Sequence, residues 1–199
     1  MSSIYVYGAS GHGLVVADIA KACGYDTVLF IDDGDNAFPA FLEVHMDKEI
    51  PLVFGIGHNL TRAKLSAKVK QYGFHLISLI HPSAVVSPSA TIGEGTVIMP
   101  QVVVNANAVI AEGTILNTGS IVEHECCIGK FVHISPKVAL AGNVTVGDFT
   151  HIGIGSNVIQ GIIIGHNSII GAGSVVVKNI RDFTKAFGIP CKEVEAIDE

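Results

Sequence analysis

The chain has 199 residues, a formal net charge of −6, 49% apolar residues and only 15% charged ones. Its twelve basic residues are scattered without a run, which argues against nucleic acid as the main partner, and no apolar stretch reaches the roughly 18 residues of a membrane-spanning helix. So low a charged share points to surface buried in an oligomer.

The elements read in chain order. "SIYVYG" is a strand, "SGHGLVVADIAKACG" a helix ended by Gly24, and "DTVLFIDD" a second strand. Residues 33–50 are turn-rich and read as a loop. "PLVFGIG" is a third strand and "HNLTRAKLSAKVKQYG" a second helix, with Asn59 as its expected cap and His58 as a turn residue. "HLISLI" is a further strand that feeds the next region. Strands alternating with helices imply a small parallel sheet, so residues 1–80 form an α/β, Rossmann-like N-terminal domain. No leader with a basic region and an apolar run is visible, and the four cysteines show no disulfide or CxxC pattern; a reduced cytoplasmic protein is expected.

From His81 to Val176 the chain divides into sixteen hexads without an insertion, and the sixth position is Val, Ile or Leu in every one. A period of six fits neither a helix nor a plain alternating strand; it fits a parallel β-helix, in which three hexads close one triangular coil. The sixth side chain points to the axis and stacks on the one 18 residues later, and the small fourth side chain sits inward near a corner. At a strand spacing of roughly 4.8 Å the column is about 25 Å tall. Outward positions in "VVVNANAVI" and "NVIQGIIIG" are apolar, so packing of three prisms side by side, a homotrimer, is expected. This second domain covers residues 81–199, ending in a short tail.

"YGASGHG" joins the first strand to the first helix. Gly8, Gly11 and Gly13 would let backbone approach a ligand, and the helix N-terminus offers N–H groups to phosphate. The spacing G-x-x-G-x-G is not the dinucleotide fingerprint, and no P-loop GK[ST] follows. Asp32 and Asp33 follow the second strand, where such folds bind ribose hydroxyls. A nucleotide or nucleotide-sugar site and a ligandless tight turn both remain open at this point. His12 could meet a phosphate or cap the helix.

"NTGSIVEHECCIGKFVHI" holds the densest chemistry. His124 and Glu125 fall at hexad positions two and three, corner or outward places; Cys126 takes the inward fourth position; His133 faces out at position five, with His151 one coil above it and Gly142 one coil above His124. Four readings compete. A metal site is disfavoured because Cys126 points away from His124, and because His124 and His133 lie on neighbouring faces. A redox pair is disfavoured because adjacent cysteine side chains diverge. Surface decoration is the bland reading. The fourth is an acid–base site, in which a carboxylate fixes one imidazole nitrogen and leaves the other free. His124 would then act in a groove between subunits, where His133 or the unshielded Gly142 amide meets a developing oxyanion.

With "YGASGHG", "NTGSIVEHEC" and the terminal "GIPCK", the whole chain resembles the bacterial UDP-4-amino-sugar N-acetyltransferases of bacillosamine biosynthesis, used in protein glycosylation. These belong to the sialic-acid O-acetyltransferase-like group of left-handed β-helix hexapeptide acyltransferases. The resemblance implies the left hand of the column, a homotrimer, and transfer of acetyl from acetyl-CoA to the 4-amino group of a UDP-linked sugar. It implies His124 as general base and Glu125 as the carboxylate that raises its proton affinity. His133, Gly142, Ile154 and Ala172 match coenzyme-side positions. Gly11, His12, Gly13, Asp32, Asp33 and Gly57 match the nucleotide-sugar site, and Asn117 a polar residue near the sugar. Cys191 replaces the family's usual Ala, which suggests an exposed thiol. No metal is implied. O-acetylation of sialic acid or another glycan hydroxyl, and a non-catalytic trimeric metabolite-binding scaffold, are the alternatives.

Overall fold

The computed structural model of the chain describes residues 2–41 and 46–197. β1 (Ser3–Tyr7), β2 (Thr27–Ile31) and β3 (Leu52–Phe54) pair in parallel in the order β2-β1-β3. α1 (Gly11–Ala22) carries the chain from β1 to β2, and α2 (Asn59–Gln71) follows β3. α1 stops where expected: Gly24 adopts φ +93° just beyond it, a backbone state that costs glycine little. Between β2 and β3 the described residues form only bends and turns; positions 42–45 of that expected loop lie outside the described residues.

The cap of α2 differs from expectation. His58, in extended conformation, is the N-cap, and its Nδ1 accepts the Thr61 N–H at 3.3 Å. Asn59 is already helical and buried, and its amide donates to Phe149 O (2.8 Å) and Thr150 O (3.3 Å) in the second domain. A tertiary hydrogen bond displaced the local one that its residue type favours.

The column begins earlier than His81. β4 (Leu79–Ile80) pairs with Val97–Ile98 in the register that all later coils keep, so "HLISLI" is itself one unit of the repeat. The pairs Val97↔Ile115, Ile115↔His133, His133↔His151 and His151↔Ile169 build the first face. The second face carries Val103, Ile121, Ala139 and Asn157, the third Val109, Cys127, Thr145 and Ile163. Sixth-position side chains from Ile98 to Val176 are buried along the axis, as are the fourth-position Thr96, Ser120, Cys126 and Ser174. Each such aliphatic side chain contributes about 1.5–3 kcal/mol by leaving water. Third-position corner residues from Gly95 to Gly173 have positive φ, glycine or not: Glu125 and Lys137 stand at 59° and Phe131 at 53°.

The first face does not meet solvent in its lower half. Leu79, Val97 and Ile115 join Ile4, Val6, Val16, Ile19 and Val53 in one apolar core, so the N-terminal sheet and α1 pack directly on the column. Lys70 of α2 adds ion pairs to Glu94 (2.8 Å) and Glu112 (3.1 Å) across the junction. Above, the hairpin Thr184–Gly188 and Cys191–Ala196 extends the first face. The exposed thiol expected at Cys191 is not found: the hairpin buries the side chain, and burial raises its thiol pKa. All four cysteines are free.

Candidate active site

The glycine loop divides its labour. A Cβ on Gly13 would collide with the Gly8 carbonyl, so Gly13 lets α1 pack tightly against the end of β1 rather than opening toward a ligand. Gly11 faces open space. The first bond of α1 is Leu14 N–H to Ser10 O (3.0 Å), and Ser10 makes no side-chain cap, so the amides before Leu14 stay open as helix-start donors. Beside them lies a cavity of about 380 Å³ lined by Gly8, Ser10, Asp32, Asp33, Gly57 and His58, among others.

Asp32 and Asp33 line this cavity, but both carboxylates already hold protein donors. Asp32 accepts from Ala9 N (2.7 Å), Gly34 N (2.8 Å) and Asn36 Nδ2 (2.9 Å), tying the glycine loop to the end of β2. Asp33 accepts from Tyr7 Oη (2.5 Å), Phe41 N (2.9 Å) and Lys68 Nζ (3.0 Å). The bond from Ala9 holds the Asp32 carboxyl below the usual range, while burial and Asp33 push the Tyr7 hydroxyl up. Lone pairs remain for a ligand, but the first work of both acids is to shape the loop.

Past Gly57 the cavity wall continues into a histidine cluster. His133 leaves the column outward, as its hexad position demands, yet it is only 8% exposed because the Gly57 loop covers it. Its Nδ1–H donates to Gly57 O (3.3 Å) and its Nε2 accepts from Asn117 Nδ2 (3.1 Å). Asn117 Oδ1 accepts Thr118 N–H at 2.8 Å, which fixes that amide's orientation. The His133 ring stands 4.9 Å from that of His151 and 6.0 Å from that of His12. Burial, then the neighbouring His151, Arg62 and His12, pull the His133 pKa down to about 3; burial and Arg62 pull His12 to about 4 and lower His151. Both ring nitrogens of His133 thus already face protein partners, Gly57 O on one side and the Asn117 amide on the other. His12 does not cap α1, and its buried Nε2 has no hydrogen-bond partner among the described residues. His151 lines a second, largely apolar cavity of about 600 Å³ that shares Gly57 and His58 with the first. Among the described residues no cluster of His, Cys, Asp or Glu is arranged to hold a metal ion.

His124 lies elsewhere. It occupies the corner between the second and third faces, exposed, with Nδ1 3.1 Å from Glu125 Oε2 and Nε2 without a partner among the described residues. Glu123 Oε2 accepts the His124 amide at 3.3 Å. Gly142, one coil on, is buried beneath the ring, and its N–H has no partner among the described residues. The ring thus occupies the space that a side chain at position 142 would need. Ile154 and Ala172 stack on the corner between the first and second faces, both exposed, linked by Gly173 N–H to Ile154 O at 2.8 Å.

The expected residues thus fall into two sets on one column. His12, Asp32, Asp33, Gly57, Asn117 and His133 gather where the N-terminal domain meets the first face. His124, Glu125 and Gly142 sit on the corner opposite that face, not on a neighbouring face. Arg62, which no sequence signal marked, lies under the first set. The buried side of α2 reads Asn59, Arg62, Ser66, Val69, so apolar periodicity could not reveal it.

Residues 3–69 match the PglD N-terminal domain family. Over its whole length the chain is similar to the crystal structure of PerB from Caulobacter crescentus in complex with CoA and GDP-perosamine: 38% identity, 98% of each chain and a TM-score of 0.92. The chain belongs to the PglD/PerB family of sugar N-acetyltransferases. The family's left-handed β-helix sets the hand of the column. A second family structure, the acetyltransferase domain of PglB from Neisseria gonorrhoeae, is 38% identical across 98% of this chain and all of that one, with a TM-score of 0.92. Among curated proteins, UDP-N-acetylbacillosamine N-acetyltransferase of Bacillus subtilis is 37% identical over 113 residues, 50% of this chain. The match spans about half the length of that relative, 52%. In the PglD/PerB frame the outward His133, the Gly57 loop and the His124 corner are parts of one fold rather than isolated motifs.

Proposed function

We propose that the protein transfers acetyl from acetyl-CoA to the 4-amino group of a UDP-linked amino sugar, with His124 as general base and the site shared between copies of a homotrimer. The observation that carries this reading is the His124 environment. Glu125 accepts the Nδ1–H, so Nε2 keeps a lone pair aimed into solvent, as a base acting directly on an amine requires. No hydroxyl or thiol nucleophile is hydrogen-bonded to Nε2 among the described residues, which supports direct attack over a covalent enzyme intermediate.

The nucleotide-sugar belongs in the cavity beside the open α1 amides, its diphosphate on the helix start and the base and ribose toward Asp32 and Asp33. The apolar cavity at His151 and Ile169 suits the acyl-pantetheine arm of the coenzyme. Because His124 faces away from both, a second copy supplies it. Exposed Val85 and Ile121 on the second face and Val109 and Ile163 on the third give that copy an apolar surface to cover. The neutral amine attacks the thioester carbonyl as His124 Nε2 takes its proton. The carbonyl oxygen becomes an oxyanion that the Gly142 N–H, which has no acceptor among the described residues, can meet. Collapse forms the amide and expels the CoA thiolate, which takes the proton back from His124.

A GDP-linked amino sugar is the second reading, since the PerB relative is bound to GDP-perosamine. Thiol release from acetyl-CoA with a panel of UDP-, GDP- and CMP-sugars decides. Release with a UDP-4-amino sugar and mass gain of one acetyl is expected; release only with a free or CMP-linked sialic acid would indicate O-acetylation, and none with any acceptor a non-catalytic scaffold.

A further inference from the structure

Arg62 is completely buried between α2 and the column, and no carboxylate pairs with it among the described residues. Its Nε donates to Gly113 O (2.6 Å), Nη1 to Gly57 O (3.0 Å) and Ile56 O (3.1 Å), and Nη2 to Asn59 Oδ1 (3.0 Å), Phe131 O (3.0 Å) and Val132 O (3.2 Å). A guanidinium carries five N–H donors in a rigid fork, and here the whole fork is used on six acceptors. Those acceptors are not a random set. Gly57 O is also the acceptor of His133 Nδ1–H, and Val132 is the residue immediately before His133. One cation therefore grips both ends of the hydrogen bond between the nucleotide-side loop and the column.

We propose that Arg62 is a positioning residue: by holding the Gly57 carbonyl and the 131–132 backbone at one spacing, it locks His133 in its Nδ1–H form with the Nε2 lone pair turned to Asn117. Gly57 lines both cavities, so the same grip sets the distance between acceptor sugar and coenzyme. A lysine at 62 keeps a charge but concentrates three donors at one point, which cannot span the Gly57 and Val132 sides together. A role in domain cohesion alone would ask only for stability and would leave the ring's tautomer and the turnover of folded protein untouched.

The kinetic consequence rests on the acetyltransferase reading; the tautomer does not. The test is ¹⁵N-histidine NMR of the intact protein at pH 7.5, with the His133 signal assigned from His133→Asn, alongside kcat and KM measured well below the melting temperature. Wild-type His133 is expected as the Nδ1–H tautomer; an Nε2–H tautomer or an imidazolium overturns the proposal, whether or not any variant folds. Arg62→Lys is expected to show mixed tautomers and a kcat roughly ten- to hundredfold lower, the scale of a small misplacement at a reacting centre. Asn59→Ala, which frees Nη2 from its side-chain partner, is expected to move both readouts the same way but less. Variants that lower only the melting temperature, with tautomer and kcat unchanged, overturn the positioning role. If wild-type protein acetylates no nucleotide-sugar, the functional reading fails while the NMR still decides the role of Arg62.

Discussion

Gly142 lies against the His124 imidazole so closely that a Cβ in place of its hydrogen would sit 2.5 Å from both Cε1 and Nε2. The ring rests where any other residue's side chain would stand. Gly142→Ala should therefore push His124 off its place while leaving the column intact. We expect a fall in kcat of about ten- to hundredfold with little change in melting temperature; wild-type kcat in a folded Ala variant would show that the ring's seat does not matter.

Removing the base has a larger effect. His124→Ala should lower turnover by about 10²–10⁴ with little change in melting temperature, because the side chain is exposed and packs only over Gly142. Near-normal turnover would remove His124 from the mechanism.

Glu125 separates function from stability. It holds φ 59°, which costs a non-glycine residue about 1–2 kcal/mol. Glu125→Gly removes that strain but frees the unfolded chain, so its melting temperature should stay near or above wild type. Glu125→Ala keeps the strain. Both variants should lose activity alike, since both leave His124 Nδ1 without its acceptor; thermal melts and kcat measured side by side check the split.

Stability should fall in acid through the histidine cluster. The unfolded chain protonates His12, His133 and His151 near pH 6.5, while the folded protein resists until about pH 4 for His12 and about 3 for His133. The unfolded state then binds more protons, so the contribution is fully present above pH 6.5 and is lost as pH falls. The slope is up to about 1.4 kcal/mol per pH unit for each histidine. Urea melts from pH 7.5 to 4.5 should show it, and His133→Asn should flatten it; an unchanged slope would mean that His133 is not held neutral.

His124 and His133 on opposite sides of one column make a further test possible. Mixing unfolded His124→Ala and His133→Asn chains and refolding them together should restore part of the activity that neither has alone, because some mixed sites then hold both wild-type residues. No recovery in co-assembled protein would argue for a site within one chain.

The period of six was legible because burial imposes it: every coil must place one large aliphatic group on the axis and one small group at the corner, as Ile134 and Val132 do. The His124–Glu125 contact was legible for the same reason, since neighbours on one corner are set by local chain geometry. The cap of α2 was misread because Asn59 found acceptors in the column, 90 residues away. The exposed-thiol reading of Cys191 failed because a hairpin closes over it.

By itself, then, the amino-acid order determined the repeat, the alternating strands and helices before it, and the corner on which His124 stands, all consequences of short-range periodicity. Only the tertiary structure decided that the Gly57 loop closes over His133, that Asp32 and Asp33 spend their first hydrogen bonds on the protein, and that Arg62 is buried among carbonyls. These depend on how one domain docks against the other, and polar groups brought together by docking leave no period in the chain.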